Sequence, residues 1–138
     1  MTQRTFSIIK PDAVRNGATS AILEEIWKAN FKLVAIKRMT ISQEQAKGFY
    51  VVHQDQPFYE GLTSFMASGP LFLMVLEKDN AIAGFRRLMG ATNFEHAEEG
   101  TILRNFATSL RENAIHGSDS PSSAAFEIGY WFAGYELA

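Results

Sequence analysis

The stretch "RENAIHGSDSPSSAAFEIGYWF", residues 111 to 132, places one histidine, His116, among small and polar residues ahead of an amphipathic segment. Gly117 follows it, a residue type that permits close approach of a neighbour or an unusual backbone angle. Ser118 and Asp119 come next, directly before a helix start, where free N–H groups and the macrodipole favour anions. Ser120 and Pro121 mark that start as an N-cap serine with proline at the first helical position. The expected helix runs to about Phe132, with Ala124, Ala125, Ile128, Trp131 and Phe132 on its core stripe. Glu127 lies beside that stripe with no basic residue three or four positions away, so it needs a partner from elsewhere. His116, or a Ser or Tyr that holds it, is the nearest group that serves.

Three chemistries compete for a histidine in this setting. A Ser-His-Asp hydrolase fails on spacing, because His116, Ser118 and Asp119 lie within four residues and no GxSxG elbow occurs. A metal centre is poorly supported, since the three histidines are scattered without HxxH or HExxH spacing. What remains is histidine as nucleophile, whose neutral imidazole carries a free lone pair near neutral pH. Phosphoryl groups are suitable electrophiles for it. Scattered donors are available for their oxygens: Lys10, Arg86, Arg87, Thr92, Arg104 and Asn113. On the residues alone a structural role for His116 stays open beside the chemical one, and for His53 and His96 the structural role is the preferred reading.

The rest of the chain supplies the elements that must hold these groups. "TFSIIK" (5 to 10) reads as a short strand stopped by Pro11, which lacks the N–H a ladder uses. After Asn16-Gly17, Ile22, Leu23, Ile26 and Trp27 recur at helical spacing and are expected on one buried face. "FKLVAIKRMT" (31 to 40) returns as a strand. Ser42 and Gln45 have capping-box spacing, which predicts a helix through about Tyr50. Pro57 opens another helical stretch with Phe58, Leu62, Phe65 and Met66 on one side. "PLFLMVLEK" (70 to 78) is a nearly continuous apolar run, the pattern of a central strand covered on both faces. Residues 80 to 89 read as helix and 90 to 105 as a long polar loop, a kind of segment that often carries function. A short strand is expected near 114 to 117. This order implies a mixed sheet covered by helices, α+β in class rather than doubly wound α/β.

At 138 residues with 46% hydrophobic content, the chain suffices for one core and a single domain, 1 to 138. Its 13 basic and 15 acidic residues leave a formal charge of −2, so nothing draws it in bulk to nucleic acid or to an anionic membrane. Any phosphate site must be local. The absence of cysteine excludes disulfides and Cys-based metal sites. No signal-peptide pattern occurs and no apolar run approaches the roughly 20 residues of a membrane span, so a soluble cytoplasmic protein is expected.

"TFSIIKPDAV", "FMASGP", "MGATN" and above all "NAIHGSDS" resemble the motifs of the nucleoside diphosphate kinases, spread from residue 5 to the end of the chain. The resemblance implies a ferredoxin-like βαββαβ sandwich, a four-stranded antiparallel sheet covered by helices. It also implies ping-pong transfer of the terminal phosphate from a nucleoside triphosphate to a nucleoside diphosphate, resting in between on the histidine that corresponds to His116. Magnesium is expected on the nucleotide's phosphates, with no dedicated protein cage. By the same resemblance Lys10 donates to the transferred phosphate with Tyr50 beside it, Arg86 and Thr92 hold the distal phosphates, and Asn113 bonds the sugar 3′ hydroxyl. Phe58 stacks on the base, which predicts low base selectivity because every base offers a π face. Ser118 and Glu127 orient the histidine. The resemblance further implies a homo-oligomer, a hexamer or a tetramer of dimers.

The departures from the family pattern carry expectations of their own. Aligning "GTIL" (100 to 103) with the family's usual GTIR puts Leu103 where a phosphate-binding arginine is expected, with Arg104 adjacent. One lost charge-assisted donor amounts to about tenfold to a hundredfold in rate, so Leu103→Arg is expected to accelerate the reaction. Phe94 stands in place of a usual proline in a loop that resembles one used in subunit packing, and Gln56 replaces a frequent basic residue. Two other readings stand beside the kinase. A nucleotide-binding scaffold predicts binding without phosphohistidine, and a phosphocarrier predicts phosphohistidine that nucleoside diphosphates do not discharge.

Overall fold

The computed structural model describes residues 1–90, 100–106 and 113–138, with the backbone alone at 103 and 104. Four strands form one sheet in the order β2-β3-β1-β4: β1 (Thr2–Ile9), β2 (Lys32–Met39), β3 (Leu71–Asp79) and β4 (Ile115–Gly117). Every pairing is antiparallel, so the mixed sheet implied by the order of elements alone gives way to the antiparallel one that the family resemblance implied. Helices α1 (Pro11–Arg15) and α2 (Thr19–Lys28) connect β1 to β2, and α3 (Gln43–Phe49) and α4 (Tyr59–Met66) connect β2 to β3. Beyond β3 come α5 (Ala81–Met89) and α6 (Ile102–Phe106), then β4 and α7 (Pro121–Trp131). The expected α+β, ferredoxin-like arrangement is the one observed.

The sheet separates two cores because the side-chain period of a strand is two. Phe6 and Ile8 of β1 and Leu71, Leu73 and Val75 of β3 face the side covered by α3, α4 and α7. Ile9, Met74 and Leu76 face the side covered by α1, α2 and α5. This double burial accounts for the unbroken apolar run of β3, where each fully buried large side chain contributes about 1.5–3 kcal/mol.

Local signals fix where the helices begin. The Ser42 hydroxyl accepts the Gln45 N–H at 3.0 Å while the Ser42 N–H donates to Gln45 Oε1 at 2.8 Å, so the capping box is complete. The Ser120 hydroxyl accepts the Ser123 N–H at 3.1 Å, and Pro121 opens α7.

Several expectations give way to packing. Trp27 is 77% exposed, because α2 turns only Ile22 and Ile26, one turn apart, fully into the core. Ala125 is exposed for the same reason, lying about 100° around α7 from buried Ala124. Phe58 precedes α4 rather than sharing its apolar stripe and is 44% exposed. Pro11 stops the strand and also starts a helix, since the first helical N–H needs no partner. The end of the expected loop, 102 to 105, belongs to helix α6, which continues to Phe106. Thr92, Phe94 and His96 lie outside the described residues, as do the side chains of Leu103 and Arg104.

Candidate active site

The short edge strand β4 presents His116. Its register opposes Ile8 to His116 and Ser7 to Gly117, so the imidazole shares the face of Phe6 and Ile8 while Gly117 is turned toward α5. A Cβ at Gly117 would stand 2.7 Å from Met89 Sδ and 2.8 Å from Phe85 Cδ2. Glycine is therefore what lets α5 seat against β4. The close approach expected at this position is the feature found.

The His116 ring meets Phe6, Phe49 and Tyr50 edge-on, with centroids 6.1, 5.7 and 6.4 Å away. Its Nε2 lies 2.9 Å from Glu127 Oε1. The same carboxylate oxygen accepts the Ser118 hydroxyl at 2.8 Å, and the Ser118 oxygen in turn accepts the Phe6 N–H at 3.2 Å. A carboxylate on Nε2 selects the neutral tautomer that carries its proton there, which leaves the lone pair on Nδ1. The partner that Glu127 lacks along its own helix is thus supplied by β4 and by the residue after it.

Tyr50 closes α3 as its C-cap residue, and its buried hydroxyl has no hydrogen-bond partner among the described residues. Burial pushes its pKa far above the ordinary phenol range, with the Glu127 charge adding to the effect, so the group stays a donor. Arg86, in the last turn of α5, extends Nη1 to within 3.4 Å of the Gly117 carbonyl. Asp119 is held below the usual carboxylate range by the Ser123 hydroxyl, which donates to it at 2.7 Å, and then by the Arg86 charge.

Lys10 and Asn113 form a neighbouring group. Both are buried, and Lys10 Nζ donates to Asn113 Oδ1 at 2.6 Å. Burial lowers the Lys10 pKa to about 8, against the opposing pull of Asp12. The Asp12 carboxyl is raised by its own burial, while the Ala114 N–H and Lys10 act the other way.

A cleft of about 280 Å³ collects Tyr50, Arg86, His116 and Glu127 on its walls. Ser118 braces it from behind. Lys10 and Asn113 do not line it, and Phe58 stands outside, 5.4 Å from the His53 ring. The sequence reading missed three residues: His53 and Asp119 line the cleft, and Asp12 lies buried beside Lys10. For His53 the available signal was its position one turn beyond Tyr50; for Asp12 it was a charge following a strand-ending Lys-Pro. Among the described residues no group of three His, Cys, Asp or Glu side chains converges as a metal site. Chemically, the cleft offers a nucleophilic nitrogen with an aromatic hydroxyl and a guanidinium nearby, a set suited to a tetrahedral anion.

Comparison with known proteins agrees with this chemistry. The family model described as nucleoside diphosphate kinase matches residues 3–137. A nucleoside diphosphate kinase of Oleidesulfovibrio alaskensis is 53% identical over 137 residues, 99% of each chain. Among solved structures, the nucleoside diphosphate kinase of Aquifex aeolicus superposes with a TM-score of 0.98 at 40% identity, covering 100% of both chains. That of Halobacterium salinarum, in complex with CDP, superposes with a TM-score of 0.96 at 39% identity over 100% of this chain and 92% of the other.

Proposed function

The chain belongs to the nucleoside diphosphate kinase family, with that family's transfer of the terminal phosphate between nucleoside tri- and diphosphates, and we propose that His116 is the residue that carries the phosphate. The observation that supports this most directly is the Glu127 contact to Nε2, because it leaves Nδ1 free to attack. In the first half-reaction Nδ1 forms a bond to the terminal phosphorus and the bond to the bridging oxygen breaks, releasing a nucleoside diphosphate. In the second, a diphosphate oxygen attacks that phosphorus and the P–N bond breaks. The anhydride broken and the one formed are nearly equal in energy, so the carrier must leave as readily as it attacks. Nε2 keeps its proton throughout, and the positive charge that develops on the ring faces the Glu127 carboxylate.

Tyr50, Lys10 and Arg86 donate to the phosphate oxygens, with Thr92 assigned to the distal phosphates alongside Arg86. Ser118 and Glu127 orient the imidazole. Asn113 takes the sugar hydroxyl, and the half-exposed ring of Phe58 stacks on the base. The CDP held by the halobacterial relative is consistent with a pyrimidine as a base for this chain too. Magnesium, carried on the nucleotide's phosphates, neutralises charge there when bound. The donor set fits such an ion: the cleft's carboxylates, Asp119 and Glu127, are already engaged by Ser123 and by His116 with Ser118. A single domain over 1–138, a cytoplasmic setting and assembly into a hexamer or a tetramer of dimers belong to the same proposal. No helix among the described residues is long and apolar enough to cross a membrane.

The test is incubation with γ-labelled ATP and magnesium, measurement of acid-labile label on the protein, and a chase with GDP. Label on the wild type, none on His116→Ala, and release as GTP are expected. Nucleotide binding without label would sink the phosphohistidine reading in favour of a scaffold. Label that GDP does not discharge would favour a carrier.

A further inference from the structure

Ala114 joins the two groups of site residues, and its backbone is unusual. Its φ is 71°, in the left-handed region that a residue with a Cβ rarely adopts. The Ile115 N–H donates to the Asn113 carbonyl at 2.8 Å, so Ala114 is the centre of a γ-turn of the rare, strained hand. Such a conformation persists only where its surroundings over-determine it.

The surroundings are the first residues after β1. The Ala114 carbonyl accepts the Lys10 N–H at 2.8 Å, and the Ala114 N–H donates to Asp12 Oδ2 at 3.0 Å across 102 positions of sequence. Asp12 is buried, and its Oδ1 has no hydrogen-bond partner among the described residues. Burying a carboxylate is costly, and the N–H groups of Asp12 and Ala13 at the start of its own five-residue helix offset only part of that cost. The residues on either side of Ala114 are those the reaction uses. Asn113 meets Lys10 Nζ on one side, and on the other Ile115 and His116 enter the ladder opposite Ile9 and Ile8.

We propose that Asp12 is a positioning residue for phosphate transfer: by gripping the Ala114 N–H it holds the left-handed turn that aims Asn113 and His116 from its two ends. The inference rests on the reading of His116 as phosphate carrier. It adds a residue that touches neither substrate nor the reacting ring.

The experiment is a double-mutant cycle on the full chain, reading the single-turnover rate at which folded protein takes label from γ-labelled ATP. Asp12→Ala is expected to slow labelling by about tenfold, the scale of the left-handed penalty that the carboxylate offsets. Asp12→Asn, which retains an oxygen acceptor, is expected to label faster than Asp12→Ala. Glycine enters the left-handed region without a Cβ penalty, so in an Ala114→Gly background the Asp12→Ala loss should shrink to about threefold or less. A merely structural Asp12 would lower the folded fraction and leave the rate per folded molecule unchanged. If Asp12→Ala does not fold, Asp12→Glu, whose longer stem displaces the acceptor, replaces it in the same cycle. A wild-type rate in the folded variant, or an equal loss with alanine and with glycine at position 114, overturns the proposal. A wild type that takes no label sinks the phosphohistidine reading and this inference together, whereas a labelled wild type with an indifferent Asp12 variant sinks only the latter.

Discussion

Two carboxylates act on β4 from opposite ends. Glu127, on α7, reaches the side chains of His116 and Ser118, and one of its oxygens accepts from both. Asp12, on α1, reaches the backbone of Ala114, and one of its oxygens accepts nothing among the described residues. The first arrangement is a satisfied network, which fixes a ring and its tautomer at little cost. The second is an expensive one, a buried acid whose pKa is raised and a buried lysine whose pKa is lowered to about 8. The difference teaches that orienting the His116 ring and setting the path of its backbone are separate tasks here. They are handled by different elements, and the costlier one sits where the chain is strained.

The largest effect that sharpens this contrast is a pH dependence from the costly end. Burial brings Lys10 down to about 8 in the folded chain, against 10.5 for an ordinary solvated lysine, so between those pH values the unfolded chain binds more protons and stability rises with pH. The advantage of Lys10→Met over wild type in chemical denaturation is therefore expected to shrink by about 3 kcal/mol from pH 7.5 to pH 10.5. If Lys10 donates to phosphate as proposed, activity should move the opposite way, falling as pH rises through about 8 and the ammonium loses its charge. A stability difference that does not change with pH would show that Lys10 is not buried as a cation.

At the satisfied end, Glu127→Gln keeps a hydrogen-bonding side chain and removes the charge that faces the ring. A loss of about tenfold to a hundredfold in kcat is expected, with nucleotide KM nearly unchanged, as measured by steady-state transfer from ATP to GDP. If KM rises instead, Glu127 serves binding and the contrast with Asp12 collapses. Gly117→Ala probes the strand between the two: the added Cβ meets Phe85 and Met89 and is expected to cost about 1–3 kcal/mol in a thermal or urea melt. The smallest effect is at the start of the helix that carries Glu127. Ser120→Ala removes the cap of the Ser123 N–H and is expected to cost about 1 kcal/mol, with labelling of His116 little changed.

Much of the fold was legible because its signals are local. The capping box at Ser42 and Gln45, the serine-proline start at Ser120 and the apolar run of β3 each express a rule that operates within a few residues. Trp27 and Phe58 were not legible, because helical spacing says which side chains share a face and not which face finds a neighbour. In the site, Glu127 announced itself by lacking a partner on its own helix, and His116 by the glycine and helix start beside it. Asp12 offered only a charge following a strand-ending Lys-Pro, since its partner is a backbone N–H 102 positions away.

By itself the sequence determined the class of fold, the placement of most helices and strands, and a histidine poised before a helix with a carboxylate in need of company. These follow from periodicity, capping and charge spacing, which act along the chain. Only the tertiary structure decided that the carboxylate's company is Nε2 of His116, that Lys10 and Asp12 are buried together, and that Ala114 is held left-handed between them. Those features depend on β1 and β4 lying side by side, and that pairing closes a loop of about a hundred residues that no local preference specifies.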